Sequence, residues 1–147
     1  MNKIISLTIT IMFIVIFTGC FGKNYIYGQF KSNYNTVNLY GGSKEKGALI
    51  KVADDLIIWE VDGIRKVNVF KLMFGKGIDS LILKEGKHTL GLSFFGTDIN
   101  IGEVYYKPGH EYFINYLVVK SKIYYWIEDL KNNKVVYGKK KTKKDFE

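Results

Sequence analysis

His88 and His110 are the only two histidines in the 147-residue chain. They hold matching places, one after Gly86-Lys87 and the other after Pro108-Gly109. A shared metal site would need Glu111 or Asp98 as a further ligand, because zinc takes three or four converging donors. His110-Glu111 has no second histidine four positions on, so the helical zinc-protease motif is missing. The plainer reading is that each histidine ties down its own turn through a hydrogen bond to backbone. The acid pairs Asp54/Asp55 and Glu128/Asp129 have the chemistry of a general acid and base. Adjacent residues of a strand point to opposite faces, however, so neither pair converges by itself. Gly91-Leu92-Ser93-Phe94-Phe95 lacks the second glycine of a nucleophile elbow. Gly41-Gly42-Ser43-Lys44 lacks the ending of a phosphate loop. The sequence therefore points away from an enzyme, and no cofactor or metal is expected.

The other candidate contacts are aromatic. Tyr124, Tyr125 and Trp126 stand in a row, in a chain with 11 Tyr, 10 Phe and 2 Trp. Exposed rings of this kind stack on sugars or form a protein-docking patch. The alternative is that most are core, since a fold without disulfides needs bulky residues inside. Trp59, by alternation, shares a face with Ile57 and Val61 and is expected in the core.

These residues must be carried by strands. Tyr, Phe, Ile and Val are frequent, Gly is plentiful (15) and Pro nearly absent (1), a composition of strands joined by tight turns. His88, Leu90, Leu92 and Phe94 alternate with Lys87, Thr89, Gly91 and Ser93. Tyr112, Ile114, Tyr116 and Val118 repeat the pattern. Asp62-Gly63 is a hairpin turn. The expected fold is all-β: a single antiparallel β-sandwich of about seven to nine strands, preceded by a signal-peptide helix. The domain would span 36–138. Residues 20–35 would form a tether merging into an edge strand, and 139–147 a lysine-rich flexible tail.

Formal charge is +8, nearly all of it lysine, with Arg65 the only arginine. Base and phosphate readout favours arginine, so no nucleic-acid partner is expected. The simplest meaning of the charge is solubility.

Residues 1–19 read as an export signal. Lys3 precedes an apolar run, 4–17, that is shorter than the ~20 residues a membrane-spanning helix needs. The run ends in Phe17-Thr18-Gly19-Cys20, which resembles the lipobox of bacterial lipoproteins, with Phe where Leu is usual. The resemblance implies cleavage between Gly19 and Cys20 and a thioether-linked lipid on Cys20, the only cysteine. It also implies membrane attachment at the cell envelope, at the outer membrane where the host has one. A second resemblance rests on Val61-Asp62-Gly63, on Leu83-Lys84-Glu85-Gly86-Lys87-His88-Thr89-Leu90, on Pro108-Gly109-His110-Glu111-Tyr112 and on Trp126-Ile127-Glu128-Asp129 with Val135-Val136. This order is similar to small envelope lipoproteins with a transthyretin-like or PEGA-like sandwich. It implies a binding or assembly role, with no catalytic residues to carry over.

Three functional classes follow. The first is a lipid-anchored, non-enzymatic envelope protein that docks a protein partner, and an exposed strand edge would favour it. The second is a carbohydrate or peptidoglycan module, favoured by an exposed aromatic row beside lysines. The third is a hydrolase, favoured by a pocket joining a histidine to carboxylates.

Overall fold

The computed structural model describes residues 25–68 and 77–147. The signal sequence, Gly19 and Cys20 lie outside the described residues. The described residues form eleven strands and one short 3-10 turn. In chain order these are β1 (Tyr25–Tyr27), β2 (Thr36–Asn38), β3 (Ala48–Val52), β4 (Leu56–Val61), β5 (Ile64–Arg65) and β6 (Ser80–Leu83). They continue as β7 (Gly86–Phe94), β8 (Thr97–Tyr106), β9 (Glu111–Val119), β10 (Lys122–Asp129), β11 (Lys134–Gly138) and the turn Lys143–Phe146. No helix among the described residues is long and apolar enough to cross a membrane.

The strands make two sheets. One runs β11-β10-β9-β3-β6-β2, with β1 also on β9; the other runs β5-β4-β7-β8. β3 pairs with the first half of β9 and β1 with the second half. Two pairings are parallel, β2 with β6 and β3 with β9. This corrects the expectation of a single antiparallel sandwich of fewer strands. Hairpins announce themselves through turn residues, whereas parallel neighbours are joined by long connections that leave no local signal. After β3 the chain turns at Asp55, in the left-handed region at φ 65°, and crosses into the second sheet.

One core lies between the sheets. Ile50, Leu81, Ile114 and Ile127 of the first meet Leu56, Ile58, Leu92 and Ile101 of the second. Each such side chain contributes about 1.5–3 kcal/mol by leaving water. β9 is covered on both faces. Tyr112, Ile114 and Tyr116 look inward, while Phe30 stacks on outward-facing Phe113 at 3.8 Å and 10°. A smaller apolar cluster of Leu117, Val119 and Trp126 packs against Tyr25, Tyr27, Tyr124 and Phe146.

Trp59 is buried as expected, but not through simple alternation. Leu56 and Ile58 face the core while Ile57 is half-buried. A bulge between Ile58 and Glu60 then shifts the register against β7, and a bulge adds one residue without a partner. The Trp59 indole lies across Gly91, where a side-chain carbon would stand 3.1 Å from it.

Candidate functional site

Each histidine is bound to an aspartate of its own. Asp62 and Gly63, at φ 52° and 74°, form a tight turn between β4 and β5 with both residues left-handed. His88 Nδ1 lies 2.7 Å from Asp62 Oδ2, and Nε2 donates to the Lys84 carbonyl oxygen at 2.9 Å. The Thr89 N–H donates to the other Asp62 oxygen at 2.9 Å. The Asp62 pKa is lowered: burial acts to raise it, and the bonds from His88 and the Thr89 N–H outweigh that. The imidazole thus clamps the β4–β5 turn onto the start of β7.

His110 does the same for another pair of turns. Its Nδ1 lies 2.8 Å from Oδ2 of Asp129, which is almost wholly buried. Asp129 also accepts the Lys131 N–H at 3.1 Å and the Asn132 side-chain amide at 3.0 Å. One carboxylate therefore shapes the β10–β11 turn and fastens it to the Pro108-Gly109 turn.

The two histidines do not share a ligand set. Glu111 is paired with Lys51, and Asp98 stands on β8 opposite Ser93. No group of three or more metal-ligating side chains converges among the described residues. The acid pairs are split, Glu128/Asp129 by the alternation of β10 and Asp54/Asp55 by the turn between β3 and β4. Asp54 accepts the Gln29 N–H and Asp55 the Tyr116 hydroxyl, while Glu128 takes the Trp126 N–H and Lys140.

A cleft of about 190 Å³ does contain His88 and Asp62, with Tyr40, Ile64, Lys66 and Lys84 among its walls. Both His88 nitrogens are already hydrogen-bonded there, to Asp62 and to the Lys84 carbonyl oxygen. The space is also below the roughly 300–1,000 Å³ of ordinary ligand pockets.

The aromatic row separates. Trp126 is 1% exposed and so cannot serve as a stacking platform. Tyr124 packs beneath Phe146, with ring centroids 5.0 Å apart. Tyr125 turns the other way and stacks on Tyr137 at 6.4 Å and 12°. Adjacent strand residues had to part like this.

Tyr125 and Tyr137 lead to a feature that the sequence reading left unnamed. β8 is the terminal strand of its sheet. The Gly102 N–H donates to the Tyr137 hydroxyl at 3.1 Å, and the Tyr125 hydroxyl reaches the Asn100 carbonyl oxygen at 3.5 Å. The two hydroxyls hold backbone groups that a neighbouring strand would otherwise bond. Beyond them β8 continues to Tyr106, with Glu103 and Tyr105 exposed. A register shift between His88 and Leu90, where β8 carries the extra residue, bends the edge there. A bulge is one of the devices that keep an open edge from pairing at random. The signal in the sequence was the polar alternation of Asp98, Asn100 and Gly102.

Comparison with protein-family models, curated proteins and solved structures finds no match for this chain.

Proposed function

We propose that this protein is a non-enzymatic, lipid-anchored component of the bacterial cell envelope, and that it docks an extended segment of a protein partner along the edge of β8. The anchor rests on the sequence: an apolar run closed by Gly19-Cys20, with no other cysteine. The observation that carries the docking role is the hydroxyl pair on β8. Asn100 C=O and Gly102 N–H are bonded by side chains and not by a neighbouring strand. An incoming peptide takes over those two groups and continues along Glu103–Tyr106. Backbone bonds supply the affinity in strand addition, and alternate side chains supply the selectivity. A carbohydrate module draws less support, because Trp126 is buried and Tyr124 and Tyr125 lie on different faces.

The test is a photo-crosslinking residue placed at Tyr105, on the edge strand, or at Phe95, which is 77% exposed at the β7–β8 turn. The expected result is a discrete adduct from Tyr105 and none from Phe95. Tyr137→Phe, which frees the Gly102 N–H, is expected to raise its yield. Adducts from both positions alike, or a yield indifferent to Tyr137, would count against strand addition.

A further inference from the structure

We infer that the outer face of the seven-stranded sheet, where β1 and residues 139–147 meet, is a surface that lies against anionic lipid headgroups. The inference rests on the lipid anchor proposed above and adds to it which face of the domain is turned to the membrane.

Three observations lead there. The first is charge. Lys139, Lys140, Lys141, Lys143 and Lys144 fall within six positions, against Asp145 and Glu147. Four of the five are exposed. Glu128 holds Lys140 at 3.0 Å, so the acids nearby leave a clear positive excess. The outer side of the other sheet is different: Lys87 there is matched across the strands by Glu103 at 2.7 Å.

The second observation is that the segment carrying the lysines is packed down. The turn Lys143–Phe146 is docked by Phe146 on Tyr124. Lys143 Nζ sits 5.6 Å from the Tyr25 ring centroid and 5.9 Å from that of Tyr27. Half-buried tyrosines beside exposed lysines combine the two residue classes that favour the headgroup region, amphipathic rings and long cationic side chains.

The third is position. Tyr25, under Lys143, follows Cys20 by only five residues, and a link of that length reaches at most about 18 Å in any conformation. A lipid on Cys20 therefore brings β1 and its lysine neighbours near the bilayer. The two or more acyl chains of such an anchor already attach stably, so the polybasic patch serves to orient the domain against the surface. On this reading the β8 edge, on the other sheet, remains free for its partner.

The experiment uses the full chain, reconstituted from mild detergent into vesicles of phosphatidylcholine alone or with added phosphatidylglycerol. A water-soluble reagent acetylates exposed amines, and mass spectrometry follows each lysine. Lys143 and Lys144 are expected to react about fivefold more slowly in the anionic vesicles, an effect that high salt removes. Lys87 is expected to react alike in both. Equal rates for Lys143 and Lys144 in the two vesicles, or protection of Lys87 instead, would overturn the inference. Palmitate labelling of the same preparation separates the two claims. Protected lysines without label keep the surface and remove the anchor, whereas label with unprotected lysines keeps the anchor and removes the surface.

Discussion

Tyr106 of β8 meets Tyr112 of β9 edge to face, with ring centroids 5.0 Å apart and planes at 89°, and the contact joins the two sheets. It is the middle of a run of four rings, for His88 lies 6.2 Å from Tyr106 and His110 lies 6.2 Å from Tyr112. The matching histidines of the two turns are therefore connected through packed tyrosines.

The Tyr106 hydroxyl is buried and has no hydrogen-bond partner among the described residues. Tyr106→Phe keeps the ring contact and removes that group. It is expected to leave stability unchanged or to raise it by about 1 kcal/mol, measured by denaturant unfolding. The alkaline limb gives a second readout. Burial, chiefly, pushes the pKa of Tyr106 and of Tyr116 above the usual 10. The folded chain then keeps protons that the unfolded chain gives up, so their contribution is complete below pH 10 and is lost as pH rises beyond it. Tyr106→Phe should flatten that fall. An unaltered alkaline limb would mean that the hydroxyl is solvated.

The two His–Asp clamps should differ in strength. Asp129 is buried and answers three donors, so Asp129→Ala is expected to cost about 3 kcal/mol by stranding His110 and the β10–β11 turn. The Asp62 side chain is 46% exposed, and Asp62→Ala is expected to cost about 1 kcal/mol or less. Its effect has a pH signature. The folded pKa of Asp62 is depressed, so its contribution is present above the ordinary carboxylate range and is lost as pH falls through the folded value, below about pH 4. Stability curves of the two variants from neutral to acid pH check both statements, and equal losses at neutral pH would refute the ranking.

Gly91 is required by a neighbour. A side-chain carbon there would stand 2.8 Å from Glu60 Cβ and 3.1 Å from the Trp59 ring. Gly91→Ala is expected to destabilise by about 1–3 kcal/mol, the usual range for forcing extra atoms into a packed site. Tryptophan emission would report the displaced indole, and an unshifted spectrum with full stability would place Trp59 elsewhere.

Residues 139–147, read from sequence as a flexible tail, have packing to lose. Phe146 lies on Tyr124, Lys143 over Tyr25 and Tyr27, and Lys140 on Glu128. Deleting them is expected to lower the melting temperature by about 4–8 °C, the shift that corresponds to 1–2 kcal/mol in a domain of this size. A change within about 1 °C would restore the solvated-tail reading.

Cys20→Ala is expected to abolish palmitate labelling and to release the protein from membranes. Continued membrane association with an uncleaved precursor would favour a signal anchor.

Local chemistry was legible in the sequence and long-range pairing was not. Alternation placed Leu90 and Leu92 of β7 and Ile114 and Tyr116 of β9 in the core, and Asp62-Gly63 marked its turn. The polarity of Asp98, Asn100 and Gly102 is that of an exposed strand face, and only the pairing of β8 with β7 makes the segment strand. Trp59 was placed inside by a rule that its bulge breaks. The hydroxyls of Tyr125 and Tyr137 meet β8 across the gap between two sheets, a proximity that no spacing within either segment encodes. The histidines stood out for their matching places, but their aspartates, Asp62 and Asp129, are brought to them by tertiary structure alone.

β1 pairs with β9, Tyr25 opposite Val119 and Tyr27 opposite Leu117, so a segment close to the start of the described chain is completed by one that follows nearly all of it. Contacts so distant in sequence form slowly, because a long loop must close before they return anything. β1 has no strand to join until β9 has been made. The same holds for the turn Lys143–Phe146, which needs β1 and β10 together. The order of assembly thus follows from topology: the central strands come first, and the two ends of the described chain close over them last, as a single latch.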